Sequence, residues 1–308
     1  MILSAGLTPA WQQILVFDQV RWGEVNRARE AAWCSSGKVL NAGIAVHRLG
    51  GQSLTLAPLG GAPLAEIDRE LARLGVPRRW IETRAATRIC TTILDRASGR
   101  ITELVENGRP LNASEFSAFL AAYAEEAGRA EVVVLIGSLP GEAPLGLYRD
   151  LTACTPCPMV LDFRGEGLLS VLDWKPYVVK PNREELGQTL GRVLDDDADL
   201  LAAMRHLNRL GAQWVVVTQG AQAVWVSSTE QAYRLVPPHI AEVVNPIGCG
   251  DSLAAGIAWA TQRGDGIVDA VRIGIGAACD NLGQLLPCRL EWESVRKLAA
   301  QVSIENLG

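Results

Sequence analysis

The sequence predicts an α/β protein built on a doubly wound, mostly parallel β-sheet with helices on both faces, and beside it a small second β-sheet. Three observations carry that expectation. From about residue 130, short apolar runs alternate with longer amphipathic stretches. Those runs are unbroken rather than alternating, which suits strands covered on both faces. The first hundred residues differ: shorter runs there are punctuated by turn residues such as Ala97-Ser98-Gly99-Arg100, the signature of a hairpin.

Taken in order, residues 14–20, 88–94 and 101–105 read as strands of the small sheet, with helices expected over 37–49 and 64–74. Val132–Ile136 reads as a buried strand ending at Gly137-Ser138-Leu139-Pro140, followed by a helix over 144–153. Strands are expected over 159–163, 177–180 and 214–218, with a helix over 199–210. Such alternation implies right-handed crossovers and a parallel sheet. Ligands of these sheets bind beyond the strand C-termini. Gly137-Ser138, Lys180-Pro181-Asn182 and Thr218-Gln219-Gly220 all fall there. Residues 1–308 are expected to form one domain, with the small sheet, from about 12–34 and 87–106, serving as a lid, a subunit contact or both.

Composition narrows the function. With 48% hydrophobic residues and a mean hydropathy of +0.13, the chain is expected to be globular and well packed. Net charge is −5, from 29 basic and 34 acidic residues, with no dense Lys/Arg cluster, so no nucleic-acid surface is expected. No window has the length of a membrane span and no signal peptide is evident, so a cytoplasmic protein without membrane contact is expected. The seven cysteines are scattered and do not resemble a disulfide framework; Cys154-Thr155-Pro156-Cys157 is a lone pair, read as incidental. His47, His206 and His239 lack metal-ligand spacing and are taken as structural. Trp11, Trp22 and Trp33 lie in or beside the small sheet; core packing is expected, with a dimer contact or ligand stacking as alternatives.

The segment Val244-Asn245-Pro246-Ile247-Gly248-Cys249-Gly250-Asp251-Ser252 carries the chemistry. It is a turn with two glycines opening into a small-residue helix. Glycines admit close approach to backbone N–H groups, and a helix N-terminus carries partial positive charge, so the pair suits phosphate. A carboxylate beside such a site opposes simple phosphate binding, but it serves if it must take a proton from an attacking hydroxyl. The alternative is an ordinary loop with an Asp or Ser cap.

Other segments combine with this one. Gly6-Leu7-Thr8-Pro9-Ala10, Gly23-Glu24-Val25-Asn26-Arg27-Ala28, Gly37-Lys38-Val39-Leu40-Asn41-Ala42, Thr87-Arg88-Ile89, Gly137-Ser138-Leu139-Pro140, Lys180-Pro181-Asn182-Arg183-Glu184-Glu185-Leu186 and Gly248-Cys249-Gly250-Asp251-Ser252 occur in this order. In that order and over nearly the full length, the chain resembles the ribokinase-like (PfkB) carbohydrate kinases, in particular the 1-phosphofructokinase and tagatose-6-phosphate kinase branch.

The resemblance implies a ribokinase-like fold and an ATP-dependent sugar kinase acting on a phosphorylated ketohexose. It makes Asp251 the general base and the Gly248, Cys249 and Gly250 turn the seat of the transferring phosphoryl group. Asn182 and Glu185 would hold Mg²⁺, largely through water. Lys180, Asn182, Thr218, Gly220 and Asn281 would lie along the nucleotide, Asn281 near the adenine. Gln12, Arg27, Gly37, Lys38, Asn41, Arg88 and Ser138 would line the sugar, with Arg88, Arg27 and Lys38 available to a phosphate already on it. A homodimer through the small sheet is also implied.

The chain departs from the branch at several positions. Gln12 stands where an Asp is typical, Thr8 replaces an Asn, and Ser36-Gly37-Lys38-Val39 replaces Gly-Gly-Lys-Gly. Cys249 replaces an alanine, and Ala223 stands where a nucleotide-side glycine is common. These changes fall mainly on the acceptor side. They leave open a kinase for an unphosphorylated sugar or nucleoside, and a catalytically weak sugar- or nucleotide-binding protein.

Overall fold

The computed structural model describes residues 1–144 and 146–308. The chain begins with β1 (Ile2–Ala5), β2 (Ala10–Phe17), β3 (Glu30–Ser36) and α1 (Lys38–Arg48). β4 (Ser53–Gly60), α2 (Ala62–Leu74) and β5 (Arg78–Thr83) precede the hairpin β6 (Arg88–Asp95) and β7 (Arg100–Val105). Next come α3 (Ala113–Ala127), β8 (Val132–Ile136), α4 (Leu147–Ala153), β9 (Met159–Asp162), α5 (Glu166–Leu169) and β10 (Val178–Val179). α6 (Arg183–Leu190), α7 (Asp197–Leu210), β11 (Trp214–Val217), β12 (Val224–Ser227) and β13 (Ala232–Val236) follow. The chain closes with α8 (Cys249–Gln262), α9 (Ile267–Leu282), α10 (Trp292–Ala299) and β14 (Ser303–Asn306).

A ten-stranded sheet runs β14-β13-β12-β11-β10-β9-β8-β1-β4-β5, and a four-stranded sheet runs β3-β2-β6-β7. In the large sheet all neighbours from β5 to β11 are parallel, and β12, β13 and β14 add an antiparallel edge. β1 is the third strand from the β5 edge, with β4 on one side and β8 on the other, so the chain order reverses there. The first hundred residues are therefore not confined to the small sheet as expected: β1, β4 and β5 belong to the large one.

Both faces of the large sheet are covered, which is why its strands lack polar alternation. On β8, Val132, Val134 and Ile136 pack into one core with α1, α2, α8, α9 and α10. Val133 and Leu135 pack into the other, with α3, α4, α6 and α7. α8 lies close against α9 because glycines meet there: a Cβ on Gly256 would fall 2.6 Å from Gly274 Cα. That contact fixes the helix whose start forms the site.

Several boundaries shift for physical reasons. The strand expected over 14–20 starts at Ala10 and stops at Phe17, since Gln12 sits buried within the alternating pattern. The helix expected over 64–74 begins at Ala62, with Pro63 tolerated in its first turn. Of the helix expected over 144–153, Leu147–Ala153 is observed, and residue 145 lies outside the described residues. Trp22 is 79% exposed rather than core, while Trp11 and Trp33 stack at 6.0 Å. Among the described residues no helix is long and apolar enough to cross a membrane.

Candidate active site

The site grows from the start of α8. Gly248 holds a left-handed φ of 89°, and a side chain there would lie 2.8 Å from Pro287 Cβ and 3.0 Å from Cys288 Sγ, so only glycine fits. The Cys249 N–H donates to Pro246 O at 3.2 Å and the Ser252 N–H to Gly248 O at 2.8 Å. Between them, the Gly250 and Asp251 amides fall in a first turn that offers no intrahelical acceptor. Asn281, expected along the nucleotide, lines neither of the site's two cavities. It is fully buried beneath the turn, donating to Ile247 O at 2.9 Å and accepting from the Cys288 N–H at 2.6 Å. Its polar atoms are spent on shaping the turn.

Asp251 is buried, and its Oδ2 accepts from Asn41 Nδ2 at 2.7 Å. Burial pushes its pKa up from 3.8 to about 6; nearby Lys38 counters this, while Asp162 adds to it. Asn41 Oδ1 is buried and unpartnered among the described residues. Because an ionised carboxylate can only accept, Nδ2 must face Asp251, leaving Oδ1 as a free acceptor.

A second buried carboxylate, Asp162 at the end of β9, organises the cations. Lys38 Nζ lies 2.8 Å from its Oδ1, and Lys180 Nζ lies 2.9 Å from its Oδ2 as an ion pair rather than an aligned hydrogen bond. Burial alone would raise the Asp162 pKa, but Lys180 and Lys38 outweigh it and hold the carboxyl below the ordinary range. Burial likewise opposes the charge on Lys38, and Asp162, Asp251 and Glu185 more than restore it. A Cβ on Gly250 would lie 3.5 Å from Lys180 Nζ, so that ammonium abuts the turn.

Two cavities meet at this point. One, of about 450 Å³, is lined by Gln12, Lys38, Asn41, Arg88, Glu103 and Asp251 among others, and is rich in polar groups. The other, of about 660 Å³, has largely apolar walls that include Val224, Ile240, Leu253, Ile275 and Leu282. Thr218, Gly220, Pro246 and Gly250 border both. Cys249 belongs to the apolar chamber, where burial lifts its thiol to about 12. His239, expected to be structural, lines that chamber as well.

Asn182 and Glu185 meet through a reciprocal cap of α6. Asn182 Oδ1 accepts from the Glu185 N–H at 2.8 Å, and Glu185 Oε2 accepts from the Asn182 N–H at 3.0 Å. Glu185 Oε1 stays outside that cap, 3.9 Å from Lys38 Nζ. Among the described residues no group of three or more His, Cys, Asp or Glu is arranged to hold a metal ion. One open carboxylate oxygen suits a hydrated cation carried largely by phosphate oxygens.

On the polar side, Gln12 is buried and donates to Thr92 Oγ1 at 2.7 Å. Gly37 lines the cavity immediately before α1. Arg88 spends three of its donors on backbone carbonyls: Nε to Pro9 O at 3.3 Å, Nη1 to Glu106 O at 3.1 Å and Nη2 to Thr8 O at 2.9 Å. Two expected residues are not brought in. Arg27 is exposed on the link between β2 and β3, and Ser138 is exposed near Thr8; neither lines the cavity. Sequence reasoning missed Asp162 and Glu103. A lone carboxylate closing an apolar strand run was the available signal for Asp162, since such strand ends border ligand sites. Glu103 gave none, because which face of a hairpin strand looks inward depends on register.

The pfkB family carbohydrate kinase model matches residues 14–285. Phosphofructokinase-2 from Escherichia coli, solved in complex with substrates and products, is 26% identical over 96% of this chain and 98% of that one, with a TM-score of 0.86. A possible 1-phosphofructokinase from Thermotoga maritima is 20% identical over the whole of both chains, with a TM-score of 0.91. The tetrameric inhibited form of the E. coli phosphofructokinase-2 is 24% identical over 97% of this chain and 98% of that one, with a TM-score of 0.87. The chain belongs to the pfkB family of carbohydrate kinases and is a phosphotransferase.

Proposed function

We propose that this kinase transfers the γ-phosphoryl group of ATP to a hydroxyl of a phosphorylated ketohexose of the fructose 1-phosphate, fructose 6-phosphate or tagatose 6-phosphate type. The observation that carries the reading is Asp251, buried where the polar and apolar cavities meet and tied to Asn41. The apolar chamber is the nucleotide seat, with Thr218 and Gly220 at its mouth. The polar cavity is the acceptor seat, where Asn41 Oδ1 and Gln12 meet sugar hydroxyls.

In the reaction, the acceptor O–H proton passes to the Asp251 carboxylate as the oxygen attacks the γ-phosphorus and the bond to ADP breaks. Negative charge on the transferring group falls on the Gly250 and Asp251 amides and on Lys180. Asn182 and Glu185 would hold Mg²⁺, which when bound would neutralise phosphate charge. The small sheet closes over the acceptor as a lid. Its outer face, with Trp33 at 43%, Ile89 at 38% and Leu104 at 55% exposure, is the surface for a homodimer.

A second reading, an unphosphorylated acceptor, draws on Glu103, which lines the acceptor cavity, and on the engagement of Arg88 by carbonyls. The test is an ADP-release assay with Mg-ATP against fructose 1-phosphate, fructose 6-phosphate, tagatose 6-phosphate, fructose, ribose and a nucleoside. Turnover on one phosphosugar is expected. Turnover only on a neutral acceptor would replace the first reading with the second.

A further inference from the structure

We infer that Glu70 is a positioning residue that couples the acceptor strand to the phosphoryl-binding turn. Glu70 lies on α2, outside both cavities, and its side chain is only 7% exposed. One oxygen, Oε2, accepts from the Ser35 N–H at 2.5 Å. Ser35 sits on β3, just before Ser36, Gly37 and Lys38 of the acceptor cavity. The other oxygen, Oε1, accepts from Arg289 Nη2 at 2.7 Å, and Arg289 Nη1 donates to Pro287 O at 2.8 Å.

Pro287 and Cys288 are the residues against which Gly248 is packed. Cys288 holds a left-handed φ of 62°, unusual for a residue with a side chain, so its surroundings must fix it. The Asn281 side chain grips its N–H from one direction and Arg289 secures the neighbouring carbonyl from another. A single carboxylate thus joins the small sheet to the loop that props the turn. Only a group with two accepting oxygens does this. A glutamine offers one acceptor and sets N–H against N–H on the other arm.

This inference rests on reading Gly248 to Asp251 as the transfer centre, and the experiment separates the two. Glu70→Gln is compared with wild type by amide hydrogen exchange over residues 34–38 and 246–252. It is also compared by steady-state kinetics with Mg-ATP and the acceptor that the sugar panel returns. Exchange is expected to speed up in both segments, and kcat to fall by about tenfold to a hundredfold with the KM for ATP unchanged. Phe119→Leu, in the core on the other face of the sheet, serves as a destabilised control and should leave both segments as in wild type. Acceleration in one segment only, or an unchanged kcat, overturns the coupling. Asp251→Asn is run in parallel: retained turnover there would refute the transfer centre, while the exchange result still judges the coupling. Should Glu70→Gln fail to fold, Arg289→Lys removes the two-pronged grip and carries the same test.

Discussion

Replacing Asp251 by Asn should sharply lower turnover and also make the protein more stable at neutral and alkaline pH. The first follows from losing the proton acceptor, and the second from removing a charge that burial opposes. Burial raises the Asp251 pKa from 3.8 to about 6. A rise of that size corresponds to about 3 kcal/mol of differential stability between the two protonation states. Below pH 3.8 the carboxyl is protonated in folded and unfolded chains alike, and Asp and Asn behave similarly. As pH climbs from there to about 6, the unfolded chain releases the proton while the folded chain keeps it, so wild-type stability drains away. Above that the full penalty stands. In denaturant titrations, Asp251→Asn should therefore exceed wild type by about 3 kcal/mol at pH 8, the gap closing towards pH 4. For a 308-residue chain this is about 5 °C in Tm. Turnover should drop by about 10²- to 10⁴-fold, the usual worth of a general base. Equal stability at pH 8 would show that the carboxylate pays no burial penalty; near-normal turnover would remove it as the base.

Three further outcomes follow from the same geometry. The pH profile of kcat/KM should fall on the acid side with a midpoint near 6, reaching about a tenth of its plateau at pH 5, and a flat profile there would contradict a titrating Asp251. Asp162→Asn leaves the buried Lys180 ammonium without its counter-charge, and should cost about 3–5 kcal/mol in chemical denaturation, with turnover lost as both lysines are released. Arg88→Ala should raise the KM for a phosphosugar about tenfold or more while leaving the KM for ATP alone, since a charge-assisted contact is removed on the acceptor side only; indifference would favour a neutral acceptor.

The turn that opens α8 was legible because its requirement is local: two glycines, a helix start and a carboxylate are adjacent in sequence. The buried strand Val132–Ile136 was legible for the same reason, being a run apolar on both faces. What escaped depends on long-range placement. β1 is an interior strand of the large sheet, between β4 and β8, yet only four residues form it, too few to show a period. Asn281 stands at a motif position, and its amide bridges Ile247 O and the Cys288 N–H, a role that only the folded loop reveals. The Asn182 and Glu185 pair fitted both a helix cap and a metal contact, and the structure shows the cap directly. Arg27 and Ser138 occupy motif positions, but the fold leaves them at the surface.

The acceptor cavity has two owners. Gln12, Arg88, Cys90 and Glu103 come from the four-stranded sheet, whereas Asn41, Asp162, Lys180 and Asp251 come from the large sheet and its helices. On the proposed reading, recognition of the sugar can thus drift by substitutions in one sheet while the chemistry stays with residues of the other. The departures at Gln12 and Ser36 lie on the movable side, and Asp251 on the fixed one. On that reading, exchanging strands β2, β3, β6 and β7 between related kinases is accordingly a route to new acceptors, provided that the bond from the Ser35 N–H to Glu70 is kept.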